Sequence, residues 1–244
     1  MTFPAMNLKR RISGLAVLFA AFFAMLPLHA ASITLESSAA VTYLSNGSST
    51  TDFSAPFTAA NFAAAMTGTA ASVLTSTPFW FPASDIPGAV WIGTNTSAGT
   101  GTGNTALYAI SFTLPAVSAA SLTLDYGVDN DLGDLNAGLY LNGSALPGST
   151  GIPCGVGVAC SGAFTSVQTY SDSSIAPLLT TGTNTLFFDA VNLGAPGGLV
   201  FSATITYTPA GAAMPEPSNL ILPAAALLML FGLAMRRRSA AQAD

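Results

Sequence analysis

Basic residues are absent from most of this sequence. The chain has 244 residues, and its six Lys and Arg residues occupy positions 9–11 and 236–238 only. The single His is His29, so residues 30–235 contain no Lys, Arg or His. Nine of the eleven Asp and Glu residues lie between residues 31 and 213, which gives this region a formal net charge of −9.

This absence excludes several classes of function. A Ser-His-Asp or Cys-His nucleophile requires an imidazole, and Schiff-base chemistry requires a Lys. Phosphoryl transfer and nucleic-acid binding need cationic side chains to meet phosphate, so no nucleic-acid partner is expected. Catalytic zinc sites mostly use His or Cys ligands, and residues 30–235 contain no His and only two Cys, so a catalytic zinc site is not expected. The middle of the chain is left with carboxylate chemistry, binding of hard cations and neutral hydrogen bonding.

The N-terminus has the features of a secretory signal peptide. Three basic residues at positions 9–11 precede the apolar run Leu15–Leu28, and the small residues Ala30 and Ala31 follow. This order of charged, apolar and small residues predicts a signal peptide over residues 1–30, with cleavage after Ala30. A permanent N-terminal anchor is the alternative.

The C-terminus combines a Pro-Glu-Pro motif with an apolar segment and a basic cluster. Pro215, Glu216 and Pro217 precede the apolar stretch Leu220–Met235. At ~1.5 Å per residue, a helix over about 218–235 is close to the minimum that spans the ~30 Å hydrocarbon core. The two prolines disfavour helix around Glu216, so the motif is expected to be extended and accessible to a protease.

These features, in this order, resemble the PEP-CTERM sorting signal of Gram-negative bacteria, here residues 214–244. The resemblance implies an exosortase-type membrane protease as a partner, with cleavage near Pro215–Pro217. Arg236, Arg237 and Arg238 would then be the membrane stop of an inner-membrane-anchored intermediate, whose transient anchor is the C-terminal helix. The final location would be the cell surface or the exopolysaccharide matrix. An ordinary C-terminal membrane anchor is the alternative.

Residues 31–213 are predicted to form one extracytoplasmic all-β domain. Five segments have either the period-two alternation or the β-rich composition of strands, and Gly, Pro, Asn or Asp separates them. These segments are Ala106–Leu114, Leu122–Tyr126, Ala137–Leu141, Thr185–Val191 and Leu199–Tyr207. Asn142-Gly143 predicts a type I′ hairpin turn, and Ala59–Met66 is the one helical candidate. The pattern favours an antiparallel β-sandwich.

Four segments resemble the jelly-roll of galactose-binding domains and carbohydrate-binding modules. They are Tyr126-Gly127-Val128-Asp129-Asn130, Gly138–Gly143, Gly182–Leu186 and Gly197–Phe201. The resemblance implies a jelly-roll-like sandwich between the signal peptide and the single transmembrane helix. No aromatic sugar-binding platform can be assigned. Trp80 and Trp91 are interpreted as packing residues, with stacking on a sugar ring as the alternative.

Two further features concern binding and stability. Cys154 and Cys160 are the only cysteines and, in an exported protein, predict a disulfide, with a metal or redox role as the alternative.

Asp129, Asn130, Asp131 and Asp134 offer oxygen ligands at a spacing that resembles a short calcium loop. A solvated loop that uses the same residues to form turns is the alternative. Calcium is the only cofactor that the sequence indicates.

The sequence therefore predicts an exported, non-enzymatic protein of the cell surface or exopolysaccharide matrix, with no catalytic residues. A carbohydrate-binding module, calcium-assisted and attached to exopolysaccharide, is the first alternative. A glycan hydrolase that uses two of the loop carboxylates is the second.

Overall fold

The computed structural model describes residues 30–211 except residues 49, 76, 78, 97–102, 159 and 195. The predicted sorting signal, residues 214–244, lies outside this part of the chain, as does the predicted signal peptide apart from Ala30. Among the described residues, no helix has both the length and the apolar character needed to cross a bilayer.

The described residues form thirteen strands, two short α-helices and two 3₁₀ turns. The strands are β1 (Ala31–Glu36), β2 (Thr42–Ser45), β3 (Thr69–Ala70), β4 (Ser72–Val73), β5 (Ile92–Gly93), β6 (Ala106–Leu114), β7 (Val117–Asp129), β8 (Asp131–Leu132), β9 (Leu139–Leu141), β10 (Ser144–Ala145), β11 (Gln168–Asp172), β12 (Gly182–Val191) and β13 (Gly198–Pro209). The helices are α1 (Ala59–Met66) and α2 (Gly162–Thr165), and the 3₁₀ turns are Ala83–Asp85 and Ala176–Leu178.

The strands form two sheets. Sheet 1 has the order β11-β7-β13-β5-β4, and β1 also pairs with β13. Sheet 2 has the order β10-β9-β12-β6-β2-β3, and β8 also pairs with β12. All strand pairings in the described part of the chain are antiparallel. The predicted antiparallel β-sandwich is therefore confirmed.

The main core lies between the two sheets. From β7, the alternating residues Leu122, Leu124 and Tyr126 enter this core, as the period-two pattern predicts. The rings of Phe188 on β12 and Phe201 on β13 stack with a centroid distance of 4.1 Å. Both rings are fully buried, so they join the inner faces of sheet 2 and sheet 1.

A second apolar layer covers the outer face of sheet 2. Residues 53–66 lie over this face, and Phe53 and Ala65 pack there with Phe187 of β12. Helix α1 in this segment begins with a capping box, in which Thr58 and Asn61 bond each other's backbone N–H groups. The predicted helix at Ala59–Met66 is confirmed.

A third apolar cluster covers the outer face of sheet 1. Leu74, Trp80, Phe81 and Trp91 pack against Val200 of β13. The two indole rings lie 4.3 Å apart, and each is at most 8% exposed. Both tryptophans therefore serve packing, as the sequence indicated. Because both outer faces are covered, the first four residues of β6 and the first four of β13 are all buried.

The hairpin at Asn142-Gly143 is also confirmed. Asn142 has φ 53° and Gly143 has φ 83°, and β9 and β10 pair directly across these two residues. This is the geometry of a type I′ turn. The strand predicted at Ala137–Leu141 is shorter, however, and begins at Leu139. The backbone N–H of Ala137 donates instead to the hydroxyl oxygen of Tyr140, which takes it out of the strand ladder.

The first strand, β1, pairs with the last strand, β13. Ala31 pairs with Tyr207, and Glu36 pairs with Ser202. The first strand residue after the predicted signal-peptide cleavage site therefore lies beside a residue close to the end of the last strand.

Candidate functional site

The predicted acidic residues lie where sheet 2 meets the end of β7. Strand β7 ends at Asp129, and the two-residue strand β8 that follows pairs with β12, with Asp131 opposite Val191. The N–H of Gly133 then donates to the carbonyl oxygen of Asp189, at 2.8 Å. Gly133 has φ +69°, and a Cβ there would come within 2.5 Å of a backbone oxygen, so this turn requires glycine. These contacts fix residues 129–134, called the acidic loop below, against β12.

Asp129 and Asn130 of the predicted calcium set already have hydrogen-bond partners in the protein. Asp129 is 4% exposed, and its Oδ2 accepts a hydrogen bond of 3.0 Å from Nε1 of Trp80. Burial raises the pKa of Asp129 to about 7, and the Trp80 hydrogen bond partly opposes this rise. The Oδ1 of Asn130 accepts from the backbone N–H of Leu193 at 2.8 Å. Both side chains thus contribute to holding the loop.

Asp131 is different because its carboxylate has no partner among the described residues. The residue is 1% exposed, and neither oxygen receives a hydrogen bond. Burial, together with the charges of Asp134 and Asp129, raises the pKa of Asp131 to about 7. One of its oxygens lies within 4.8 Å of the sulfur atoms of Cys154 and Cys160. Bonded to each other, these sulfurs are not thiolate ligands for a metal.

The predicted disulfide between Cys154 and Cys160 is confirmed, with a Cα–Cα distance of 5.7 Å. It closes a Gly-rich loop that packs against the acidic loop. The backbone N–H of Gly157, inside the disulfide loop, donates to Oδ1 of Asp134. Asp134 itself is half-buried. The disulfide loop thus supports the acidic loop from one side.

Asp189 is a further member of this site and is not among the residues predicted from the sequence. It lies on β12, is fully buried and receives no hydrogen bond at either carboxylate oxygen among the described residues. Burial raises the pKa of Asp189 well above its ordinary value, and the carboxyl groups of Asp52 and Asp134 raise it further. The available signal was a single Asp within the run Leu186–Val191, whose other residues are all apolar.

Asp52 reaches the site from a distant part of the chain. Its Oδ2 accepts hydrogen bonds from the N–H groups of Leu135 at 2.7 Å and Asn136 at 3.2 Å. The side-chain amide of Asn136 donates to the carbonyl oxygen of Phe53 at 3.2 Å. These bonds lock the segment that covers sheet 2 onto the acidic loop. Asp125, by contrast, is exposed on β7 and bonds Thr169, so it does not belong to the site.

A separate surface groove lies between α1 and sheet 2. Its volume is about 530 Å³, and it includes the half-buried rings of Phe57 and Phe62 and the exposed side chain of Met66. Thr183 and Asn142 also line it. Asn142 already bonds the backbone of Thr185 and Leu178, whereas Thr183 is exposed. The groove therefore offers aromatic surface with few free polar groups.

No protein-family profile matches this sequence, and no curated protein matches it. Among solved structures, the chain is similar to the native structure of a family 35 carbohydrate binding module from Clostridium thermocellum. The match has a TM-score of 0.36 and 11% sequence identity, and it covers 70% of this chain and 97% of that one. A likeness at this level does not identify a function.

Proposed function

We propose that this protein is an exported, non-enzymatic component of the cell surface or exopolysaccharide matrix of a Gram-negative bacterium. In this proposal the signal peptide is removed after Ala30, and an exosortase-type protease cuts near Pro215–Pro217. The jelly-roll-like domain then remains as an acidic product with no basic side chain.

The observation that carries this proposal is the pairing of β1 with β13. Strand β1 begins at Ala31, immediately after the predicted cleavage site, and β13 ends at Pro209, shortly before the Pro-Glu-Pro motif. Ala31 pairs with Tyr207, so the start of β1 and the end of β13 are neighbours. Both predicted cuts would therefore fall outside the sandwich and leave its strands intact.

The non-enzymatic part of the proposal is supported by the burial of the candidate carboxylates. A glycan hydrolase needs two carboxyl groups that contact the substrate. Asp129, Asp131 and Asp189 are all at most 4% exposed, so a sugar ring could not reach them without rearrangement of the loop. No Lys, Arg or His between residues 30 and 235 is available to orient a substrate.

Mass spectrometry of the protein in each cell fraction tests the sorting proposal. We expect the matrix or supernatant form to begin at Ala31 and to lack Arg236–Arg238. The variant Glu216→Ala should stay in the membrane fraction with its tail intact. The matched control is Asp244→Ala, which removes an acidic residue of the tail outside the motif and should be processed normally. An external form that retains Arg238 would contradict the proposal.

A second candidate function is carbohydrate binding, and the groove beside α1 favours it. Aromatic rings can pack against the apolar faces of sugars, and Thr183 offers a hydroxyl group at the rim. This function is compatible with the first, because a matrix protein that binds the exopolysaccharide would be held there by that contact.

Retention on immobilised polysaccharides tests the groove directly. Ala63 lies on α1, lines the groove and is exposed, so Ala63→Glu fills the groove and keeps a good helix-forming residue. The matched control is Ala60→Glu on the same helix, since Ala60 is exposed and does not line the groove. Binding that is lost in the first variant and kept in the second supports the carbohydrate function. No retention of the wild-type protein on any glycan would argue against it.

A further inference from the structure

The disulfide joins an exposed cysteine to a buried one. Cys154 is exposed, whereas Cys160 is only 1% exposed and belongs to the main core. Thiol–disulfide exchange begins when a thiolate attacks one sulfur of a disulfide, and access helps to decide which sulfur is attacked. An external thiolate therefore reaches Cys154 first, and Cys160 is the sulfur that leaves.

The carboxyl group of Asp131 lies beside both sulfurs and lacks a hydrogen-bond donor. One of its oxygens is within 4.8 Å of Sγ of Cys154 and of Sγ of Cys160. The residue is 1% exposed, and neither oxygen receives a hydrogen bond from the described residues. A buried carboxylate without a donor is destabilising, and residues 30–235 contain no Lys, Arg or His to compensate it. Since a disulfide sulfur carries no hydrogen, the oxidised form cannot relieve this cost.

Reduction of the disulfide supplies the missing donor. Each thiol has an S–H group, which is a weak donor, and a hydrogen bond is stronger when its acceptor is charged. The thiol of Cys160 needs only a small side-chain movement, because a carboxylate oxygen of Asp131 already lies within 4.8 Å. The carboxylate therefore stabilises the dithiol form relative to the disulfide form.

We propose that Cys154–Cys160 is a redox-active disulfide that exchanges with dithiol reductants, and that Asp131 accepts a hydrogen bond from the thiol of Cys160. A thiolate of the reductant attacks Sγ of Cys154. The Cys154–Cys160 bond breaks, and its electron pair leaves on Cys160, which takes a proton from water.

The second thiolate of the reductant completes the exchange. It attacks the reductant sulfur that is bound to Cys154, and Cys154 leaves with the electron pair and takes a second proton from water. The two thiols of the reductant have lost their protons to water and become a disulfide. In total, two electrons and two protons pass from the dithiol to the protein.

Exchange at this disulfide acts on the acidic loop. Gly157 lies within the disulfide loop, and its N–H donates to Oδ1 of Asp134. Opening the disulfide removes the covalent restraint on Gly157, so this contact weakens and the acidic loop becomes more mobile. The inference does not depend on export or on carbohydrate binding.

The test is the redox equilibrium of the purified full-length chain in detergent. The protein is equilibrated at pH 8, above the pKa of about 7 of Asp131, in graded ratios of reduced to oxidised dithiothreitol. Alkylation and intact mass then give the reduced fraction. In Asp131→Asn the equilibrium constant for reduction should fall about tenfold or more, which is about 30 mV for a two-electron couple. The neutral amide accepts a weaker hydrogen bond and leaves no uncompensated charge in the disulfide form.

Asp85→Asn is the matched control, and the sign of the shift separates the proposal from structural damage. Asp85→Asn removes an exposed acid in a 3₁₀ turn and should keep the wild-type equilibrium constant. A substitution that only loosened the loop would make the disulfide easier to reduce, whereas we expect Asp131→Asn to be harder to reduce. An equilibrium constant for Asp131→Asn that equals or exceeds the wild-type value would overturn the inference.

The position of attack is tested on the wild type, so this measurement does not depend on the folding of a variant. A brief reaction with glutathione is stopped with acid, and the protein is then unfolded and alkylated. Because residues 30–235 contain no Lys or Arg, chymotrypsin replaces trypsin before tandem mass spectrometry. Glutathione should be found on Cys154 and the alkyl group on Cys160. Equal amounts of glutathione on the two cysteines, or a folded protein whose disulfide resists excess dithiothreitol, would contradict the proposal.

Discussion

The indole N–H of Trp80 donates a 3.0 Å hydrogen bond to the carboxylate of Asp129, and both side chains are buried. Trp80 belongs to the segment that covers the outer face of sheet 1, whereas Asp129 opens the acidic loop. This bond therefore couples the packing of the outer layer to the ionisation of a buried carboxyl group.

Replacement of Trp80 by Phe should destabilise the protein in a pH-dependent way. The change leaves a buried carboxylate without its donor, which costs about 1–3 kcal/mol of unfolding free energy. The loss should be larger at pH 8, where Asp129 is ionised, than at pH 5, where it is protonated. Urea unfolding at the two pH values measures this difference.

Trp91→Phe is the control for the lost indole volume. Trp91 donates to the neutral carbonyl oxygen of Phe81 at 3.0 Å. The decrease in unfolding free energy of Trp91→Phe should therefore depend little on pH. Equal losses at pH 5 and pH 8 for Trp80→Phe would contradict a role for the hydrogen bond.

The stability of the metal-free protein should fall as the pH rises. The pKa values of Asp129 and Asp131 are raised by burial to about 7, from an ordinary value of 3.8. Between these values the folded state binds more protons than the unfolded state, so the unfolding free energy decreases with increasing pH. In EDTA the melting temperature should be higher at pH 5 than at pH 8, by about 2–4 °C for each kcal/mol.

The double variant Asp129→Asn/Asp131→Asn tests the origin of this slope. It should reduce the dependence of melting temperature on pH to the part that Asp189 contributes, whereas Asp85→Asn, at an exposed position, should retain the full dependence. A wild-type protein that is more stable at pH 8 than at pH 5 in EDTA would show that other groups dominate.

Five of the thirteen described strands, β6, β7, β9, β12 and β13, could be predicted in whole or in part. In β6, β7 and β13 the signal is the period-two alternation of apolar residues. Ala106–Leu114 was predicted with its observed ends, and the Asn142-Gly143 turn follows from local backbone preferences. The two outer layers were not predicted. Their segments, around Phe53 and Trp80, lack regular strand or long helix patterns, and only their contacts with the sheets order them.

The acidic site was predicted only in part, for a related reason. Asp131 and Asp134 stood out because the acids are close together in sequence. Asp189 and Asp52 join them through strand pairing and through hydrogen bonds that span 83 and 84 residues. A single sequence carries no local signal for such contacts. The unusual apolar context of Asp189 was the one indication available.

Removal of the disulfide should destabilise the sandwich and loosen the acidic loop. For the double variant Cys154→Ser/Cys160→Ser, the chain-entropy estimate for a small loop is a loss of about 2–3 kcal/mol. Urea unfolding with and without a reducing agent measures the effect. The reductant should destabilise the wild type and leave the double variant unchanged. Equal sensitivity of both proteins to reductant would show that the bond contributes no stability.

A methyl group added at Gly127 or Gly198 should disturb the tryptophan layer on sheet 1. The Cβ of Gly127→Ala would lie 2.3 Å from Cε1 of Phe81, and that of Gly198→Ala would lie 2.6 Å from Cη2 of Trp80. Such overpacking should cost about 1–3 kcal/mol and change the tryptophan fluorescence. Gly194→Ala, whose Cβ would have no neighbour within 4 Å, should stay within about 0.5 kcal/mol of the wild type. If Gly127→Ala and Gly194→Ala unfold at the same urea concentration, the aromatic layer is not packed against β7 as described.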